Sequence, residues 1–214
     1  MSLRLYFHPL SSFCQKVLVA LYENGAPFER EVVDLMDPDG NAAFKKLWPI
    51  GKFPVLVDDA RGKTVPESTT IIEYLDRHFP GPGRLIPADP DAAEETRFLD
   101  RFLDLYVHLP MQKIVTDRFR PAGSNDLFGV EQAKELLGTA YGILDERLAG
   151  REWANGAGFS MADCAAAAPL TFAEMQVPIG NHKTLAAYLT RLRSRPSFAR
   201  TWKEAEPFLA MVPK

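Results

Sequence analysis

The chain has 214 residues, 25% of them charged and 46% hydrophobic, which is ordinary for a globular protein long enough to bury a proper core. Its net charge of -3 offers neither the basic face of a nucleic-acid binder nor a polybasic membrane contact. Its two cysteines, Cys14 and Cys164, are far apart and lack metal-ligand spacing, so the pattern of a disulfide-stapled secreted chain is excluded and a reducing cytosol is the expected address.

In chain order, Leu3, Leu5 and Phe7 alternate with Arg4 and Tyr6 as a short strand does. Cys14, Val17, Leu18 and Leu21 then recur at helical spacing, and Asn24-Gly25 supplies a stop. "EREVVDL" reads as a second strand and "NAAFKKLW" as a brief helix. "FPVLVDD" and "KTVPE" flank Ala60-Arg61-Gly62, a hairpin signal. Ile71, Ile72, Leu75 and Phe79 mark a helix from about Ser68 to His78. The order β-α-β-α-β-β-α predicts a mixed sheet covered by helices over residues 1–80.

"FPGPGRLIPADPD" has the composition of a linker, placed at 81–92, and residues 93–214 then read as all-helical. Phe98, Phe102, Leu105 and Leu109 form one stripe, with Leu99, Leu103 and Tyr106 beside it, so this helix must cover its own bundle and something else. Val130, Ala133, Leu137, Ala140 and Leu144 pattern the next helix, ended by Gly150. Leu185, Tyr188, Leu189 and Leu192 pattern a late one, stopped by Pro196. No apolar opening segment is present and no apolar run nears the roughly 18 residues of a membrane span. Met1-Ser2-Leu3 is open to reading as an expression remnant.

Four stretches carry candidate chemistry. In "LSSFCQKV" either Ser11 or Ser12 can cap the following helix, while Cys14, on the apolar stripe, is expected to face the core. Ser11 also stands three residues before Cys14, an S-x-x-C arrangement like C-x-x-C with its first cysteine replaced. A hydroxyl at a helix N-terminus can hold a thiolate by hydrogen bonding, helped by the free N–H groups there. In "GKFPVL" a cis Phe53–Pro54 bond would turn the Phe53 backbone outward to an extended peptide. In "VPESTTIIEYL" Thr70 and Glu73 fit a capping box; alternatively Ser68 would grip a carboxylate at the helix start and Glu67 would meet an amino group. In "GFSMADCAAAAPL" Ser160 and Asp163 form a capping box, with Phe159 and Cys164 as a staple. His8, His78, His108 and His182 form no cluster, so no metal is expected, and no Gly-rich phosphate loop appears.

"LYFHPLSSFCQKVLVAL", "LWPIGKFPVL", "VPESTTIIEYLD" and "GFSMADCAAAAPL", in that order, resemble the signposts of the glutathione transferase superfamily over nearly the whole chain. The resemblance implies a thioredoxin-like N-terminal domain, a helical C-terminal domain, a homodimer and glutathione as co-substrate. It matches Ser11 to the activating serine, with Ser12 its rival. It assigns the Phe53 backbone, backed by cis Pro54, to the cysteinyl part of glutathione, and Glu67 and Ser68 to its γ-glutamyl end. Lys52, or Lys45 or Lys46, would meet the glycyl carboxylate. Leu10, Tyr106, His108, Met111, Gln112 and Phe119 are candidates, by position only, for a pocket that takes a hydrophobic electrophile between the domains. The implied reaction is conjugation of the glutathione thiolate to that electrophile. Reduction of disulfides or peroxides, a maleylacetoacetate-type isomerisation and a non-catalytic binding module are the alternatives. The isomerase class resembles S-S-C-S at the start, from which Phe13 and Cys14 depart.

Overall fold

The computed structural model describes residues 3–156 and 158–211; Met1 and Ser2, which begin the suspected remnant, lie outside them. The first half is β1 (Leu3–Phe7), α1 (Ser12–Asn24), β2 (Phe28–Val32), α2 (Pro38–Leu47), β3 (Val55–Asp58), β4 (Lys63–Pro66) and α3 (Ser68–His78). The four strands form one sheet in the order β2-β1-β3-β4. β2 runs parallel to β1, while β3 pairs antiparallel with both β1 and β4, placing Leu5 opposite Arg30 on one side and Leu56 on the other. This is a thioredoxin-like sheet, and the element order is the one the sequence pattern predicts.

The period-2 alternation of β1 sets the layers. Leu3, Leu5 and Phe7 pack into the main core with α1 and α3, while Tyr6 joins Phe44, Val33 and Val55 in a smaller cluster under α2. α1 is buried on nearly every side, Gln15 and Lys16 included. Gly25 closes it in the left-handed region at φ 63°, its N–H returning to Leu21 and Tyr22 carbonyls. Asp58, at the end of β3, accepts from Tyr74 Oη at 2.7 Å and from the Arg61 backbone N–H at 3.1 Å, which ties the hairpin to α3.

The second half is helical: α4 (Pro90–Phe102), a π-helical segment (Leu103–His108), α5 (Leu109–Asp117), α6 (Leu127–Arg147), α7 (Met161–Gln176), α8 (Lys183–Ser194), α9 (Pro196–Ala205) and a 3₁₀ segment (Glu206–Met211). α7 carries the buried run Ala165–Ala168, small side chains that let α1 pack closely against it. The linker is anchored at both ends of Leu85: its N–H donates to Asp76 at 2.8 Å and its carbonyl accepts from Met161 at 2.8 Å.

Two expectations change. The Thr70–Glu73 capping box does not form: α3 starts at Ser68 behind Glu67, which makes no side-chain cap, and Glu73 pairs with Arg97 instead. The stripes from Phe98 to Leu109 belong to a rod interrupted by six π-helical residues: Phe102, the last residue of α4, is buried, whereas Tyr106, inside the π-helical segment, is exposed with Leu105 and Leu109. Pro196, besides ending α8, opens α9 as its first residue, where a missing N–H costs nothing. The capping box of α7 forms in full, and Asp163 also accepts from Ala154 N–H and Tyr188 Oη at 2.7 Å each, which accounts for its burial.

Candidate functional site

The β1–α1 turn is built by its own hydrogen bonds. Ser11 N–H donates to the His8 carbonyl at 3.0 Å, and Ser11 Oγ accepts from Cys14 N–H at 3.3 Å, making Ser11 the N-cap of α1. A hydroxyl has one donor and two acceptor lone pairs, so capping leaves the Ser11 proton available. Ser12, one residue into the helix, is only 4% exposed, whereas Ser11 is half-buried. Cys14 is fully buried and accepts from the His8 N–H at 3.5 Å. Burial pushes its thiol up to about 12, so it is a packing residue with almost no thiolate at neutral pH.

Facing this turn are the two other stretches singled out from the sequence. The Phe53–Pro54 peptide is cis and lies just ahead of β3, with the Phe53 ring stacked on His8 at 6.0 Å. Lys52 is exposed beside it, and the Lys45 side chain lies over Gly51, where an added Cβ would sit 2.9 Å from Lys45 Cε. Lys46 is exposed. At the start of α3, Glu67 stands at φ 69°, among the described residues the one non-glycine with positive φ. Such backbone strain collects at functional sites. Because Glu67 makes no side-chain cap, the first N–H groups of α3 remain open to an anion beside the buried Ser68.

Beneath both helix starts lies an ionic cluster that sequence reasoning missed. Lys16, 1% exposed, reaches Asp100 at 2.6 Å and Asp104 at 2.9 Å, and donates to Thr69 Oγ1 at 3.0 Å; Thr69 in turn donates to Asp100 at 2.7 Å. The cluster therefore joins α1, α3, α4 and the π-helical segment. Its sequence signal is a lysine inside an otherwise apolar helix, matched by two aspartates four residues apart on a distant one.

The six positions proposed to line an electrophile pocket divide between interior and surface. His108 and Met111 are 4% and 5% exposed, Leu10 is half-buried, and Tyr106, Gln112 and Phe119 are exposed. The His108 ring sits 4.0 Å from that of Phe13, and both its nitrogens are buried without a hydrogen-bond partner among the described residues. Burial, reinforced by Lys16, lowers its pKa to about 4. Since the folded value lies below the ordinary 6.5, the neutral ring stabilises the fold above that pH, and the contribution is lost as pH falls toward 4. Urea unfolding at about pH 7.5 and about pH 5 should therefore show wild type losing about 2 kcal/mol more than His108→Phe. Equal losses would place His108 outside this acid sensitivity. Two clefts of about 320 and 260 Å³ flank the linker, around Arg77, Arg84 and Arg97 and around Glu23 and Arg195; neither is lined by Ser11 or Glu67. Among the described residues no group of three or more His, Cys, Asp or Glu could hold a metal, and no helix is long and apolar enough to cross a membrane.

A thioredoxin-like sheet followed by a helical domain defines the class of fold, and its sheet half carries the capped serine, the cis proline and the uncapped helix start. Residues 5–83 match the model of the glutathione S-transferase N-terminal domain and residues 111–196 that of the C-terminal domain. A glutathione S-transferase from Methylobacillus flagellatus KT, solved with GSH bound, superposes with a TM-score of 0.83 at 28% identity, over 94% of this chain and 98% of that one. Protein LigF from Sphingobium sp. is 28% identical, over 96% of this chain and 95% of its own length. FtsZ-localized protein A from Caulobacter vibrioides is 29% identical, over 96% of this chain and 93% of its own. The chain belongs to the glutathione S-transferase superfamily.

Proposed function

We propose that the protein is a glutathione transferase, in which Ser11 Oγ donates a hydrogen bond to the glutathione sulfur and keeps it as a thiolate for attack on an electrophilic carbon. The observation that carries this reading is the division of labour at Ser11: its lone pair caps α1 through Cys14 N–H, and its proton is left over. The GSH-bound relative supports glutathione as the ligand.

The geometry suits the tripeptide in three parts. The γ-glutamyl carboxylate would take the open N–H groups of α3 and Ser68, and its amino group the Glu67 carboxylate. The cysteinyl part would pair with the Phe53 backbone ahead of Pro54. Lys52, with Lys45 beside it, would meet the glycyl carboxylate. A free thiol has a pKa of about 8.5, and depressing it by about 2 units requires about 3 kcal/mol. A hydrogen bond to a charged sulfur supplies about 1.5–3 kcal/mol and a helix N-terminus up to about 1 more, so the two together suffice. Holding the electrophile beside the thiolate adds proximity to the rate. Reduction through an enzyme cysteine is disfavoured, since Cys14 and Cys164 are both fully buried.

We further infer a cytoplasmic homodimer, with Phe98, Leu105 and Leu109 as the apolar face that a second copy would cover; they are 36–45% exposed. Calorimetry with glutathione, followed by a panel of aryl halides, disulfides and peroxides, tests the reading. Binding with turnover of the aryl halides is expected. No detectable glutathione binding would overturn it in favour of a scaffold.

A further inference from the structure

His8 has a place at this site that the reading above does not use. Its Nδ1 accepts the Leu10 N–H at 3.2 Å, so in the neutral ring the proton resides on Nε2. Burial lowers its pKa, opposed by Asp34, so the ring is neutral at physiological pH. Among the described residues Nε2–H donates to no protein group, and Asp34 uses its Oδ1 for Met36 N–H instead. The ring is held firmly: Phe53 stacks on one face at 6.0 Å, and Phe208, from the 3₁₀ segment at the far end of the chain, meets it edge-on at 5.4 Å. The backbone is held too, since His8 N–H goes to Cys14 Sγ and its carbonyl to Ser11 N–H. A fixed, unspent donor set among aromatic rings, on the same turn as Ser11, is suited to recognising a polar atom on a flat molecule.

We propose that His8 is a specificity-determining residue for the second substrate: its Nε2–H donates to an acceptor atom, such as a nitro or carbonyl oxygen, of an aromatic electrophile packed against Phe208. This rests on the glutathione-binding reading and narrows its substrate class. Electrophiles without an acceptor would still react with the thiolate but would leave the donor unpaired in a partly desolvated place, which costs affinity.

The test compares binding of three thioether products: S-benzylglutathione, which lacks an acceptor, and its S-(4-nitrobenzyl) and S-phenacyl counterparts. Calorimetry on wild type, His8→Phe and His8→Gln yields affinity ratios, so any general loss cancels. Wild type should prefer at least one acceptor-bearing conjugate by about tenfold, the worth of one hydrogen bond. His8→Phe keeps a ring without the donor and should erase the preference, and His8→Gln, which restores an N–H, should recover part of it. No preference in wild type, or an unchanged ratio in His8→Phe, would overturn the proposal while leaving glutathione binding intact. Should His8→Phe fail to fold, His8→Leu, which also lacks the donor, takes its place, and an unchanged ratio there overturns the proposal equally. A wild-type protein that binds neither glutathione nor any conjugate would instead overturn the underlying function.

Discussion

Replacing Lys16 with methionine is expected to destabilise the fold by about 3–5 kcal/mol, the cost of leaving buried charge without its partner. Asp100 is fully buried and Asp104 only 6% exposed, and both lean on the one ammonium. With Lys16 gone, two carboxylates 2.6 and 2.9 Å from its former position face each other in an interior that disfavours either as an anion. Already in the intact protein, burial and the charge of Asp100 raise the Asp104 pKa against the pull of Lys16. The whole cluster is a different matter. Because desolvating ions offsets much of their attraction, the triple variant Lys16→Met, Asp100→Leu, Asp104→Leu should recover most of the loss. Urea unfolding of both variants checks this, and a single variant within about 1 kcal/mol of wild type would contradict it. The cluster also holds α1 and α3 by way of Thr69, one residue from Ser68. Lys16→Met should therefore weaken glutathione binding as well, although Lys16 lies beneath the helix starts rather than among the residues assigned to the tripeptide.

Ser11→Ala is expected to lower kcat/KM for an aryl halide by about 10–100-fold near neutral pH, through loss of a charge-assisted hydrogen bond of about 1.5–3 kcal/mol. The mutation also removes the N-cap of α1, which costs about 1 kcal/mol of stability. Ser11→Asp separates the two effects. A carboxylate caps as well as a hydroxyl, but it is acceptor-only when ionised and repels a thiolate. It should preserve the melting temperature while abolishing the rate advantage. If Ser11→Asp were as active as wild type, capping alone would explain the serine. Ser12→Ala, at a position already 4% exposed and one residue into the helix, should leave the thiol chemistry almost unchanged.

Much of the fold was legible because its signals are local. Gly25 ends α1, Gly62 closes the β3–β4 hairpin at φ 58°, and Ser160 with Asp163 starts α7, each through contacts within a few residues. α3 begins at Ser68 as the periodicity implies, which puts Thr70 inside the helix rather than at its cap, and Glu73 pairs with Arg97 on α4 instead. What could not be read depends on partners far along the chain. Lys16 and Asp104 are 88 positions apart, and a helix pattern does not reveal which acid will meet a lysine. The π-helical segment shifts the phase of the stripe from Leu103 onward, so Tyr106 faces solvent at 44% exposure where 3.6-residue counting groups it with the buried Leu99 and Leu103. The site shows the same division. Ser11, Phe53–Pro54 and Glu67–Ser68 stand in short motifs with a local physical logic, whereas His8 gains its setting from Phe208 at the opposite end of the chain.

The central claim is that a neutral hydroxyl on the first turn holds a tripeptide's sulfur in its anionic form. Titrating the ultraviolet absorbance of the thiolate in the glutathione complex of wild type and of Ser11→Ala tests it most directly. The account predicts a bound thiol about 2 units below the free value of about 8.5 in wild type, moving back by about 1–2 units in the variant. Superimposable titrations of the two proteins would contradict it.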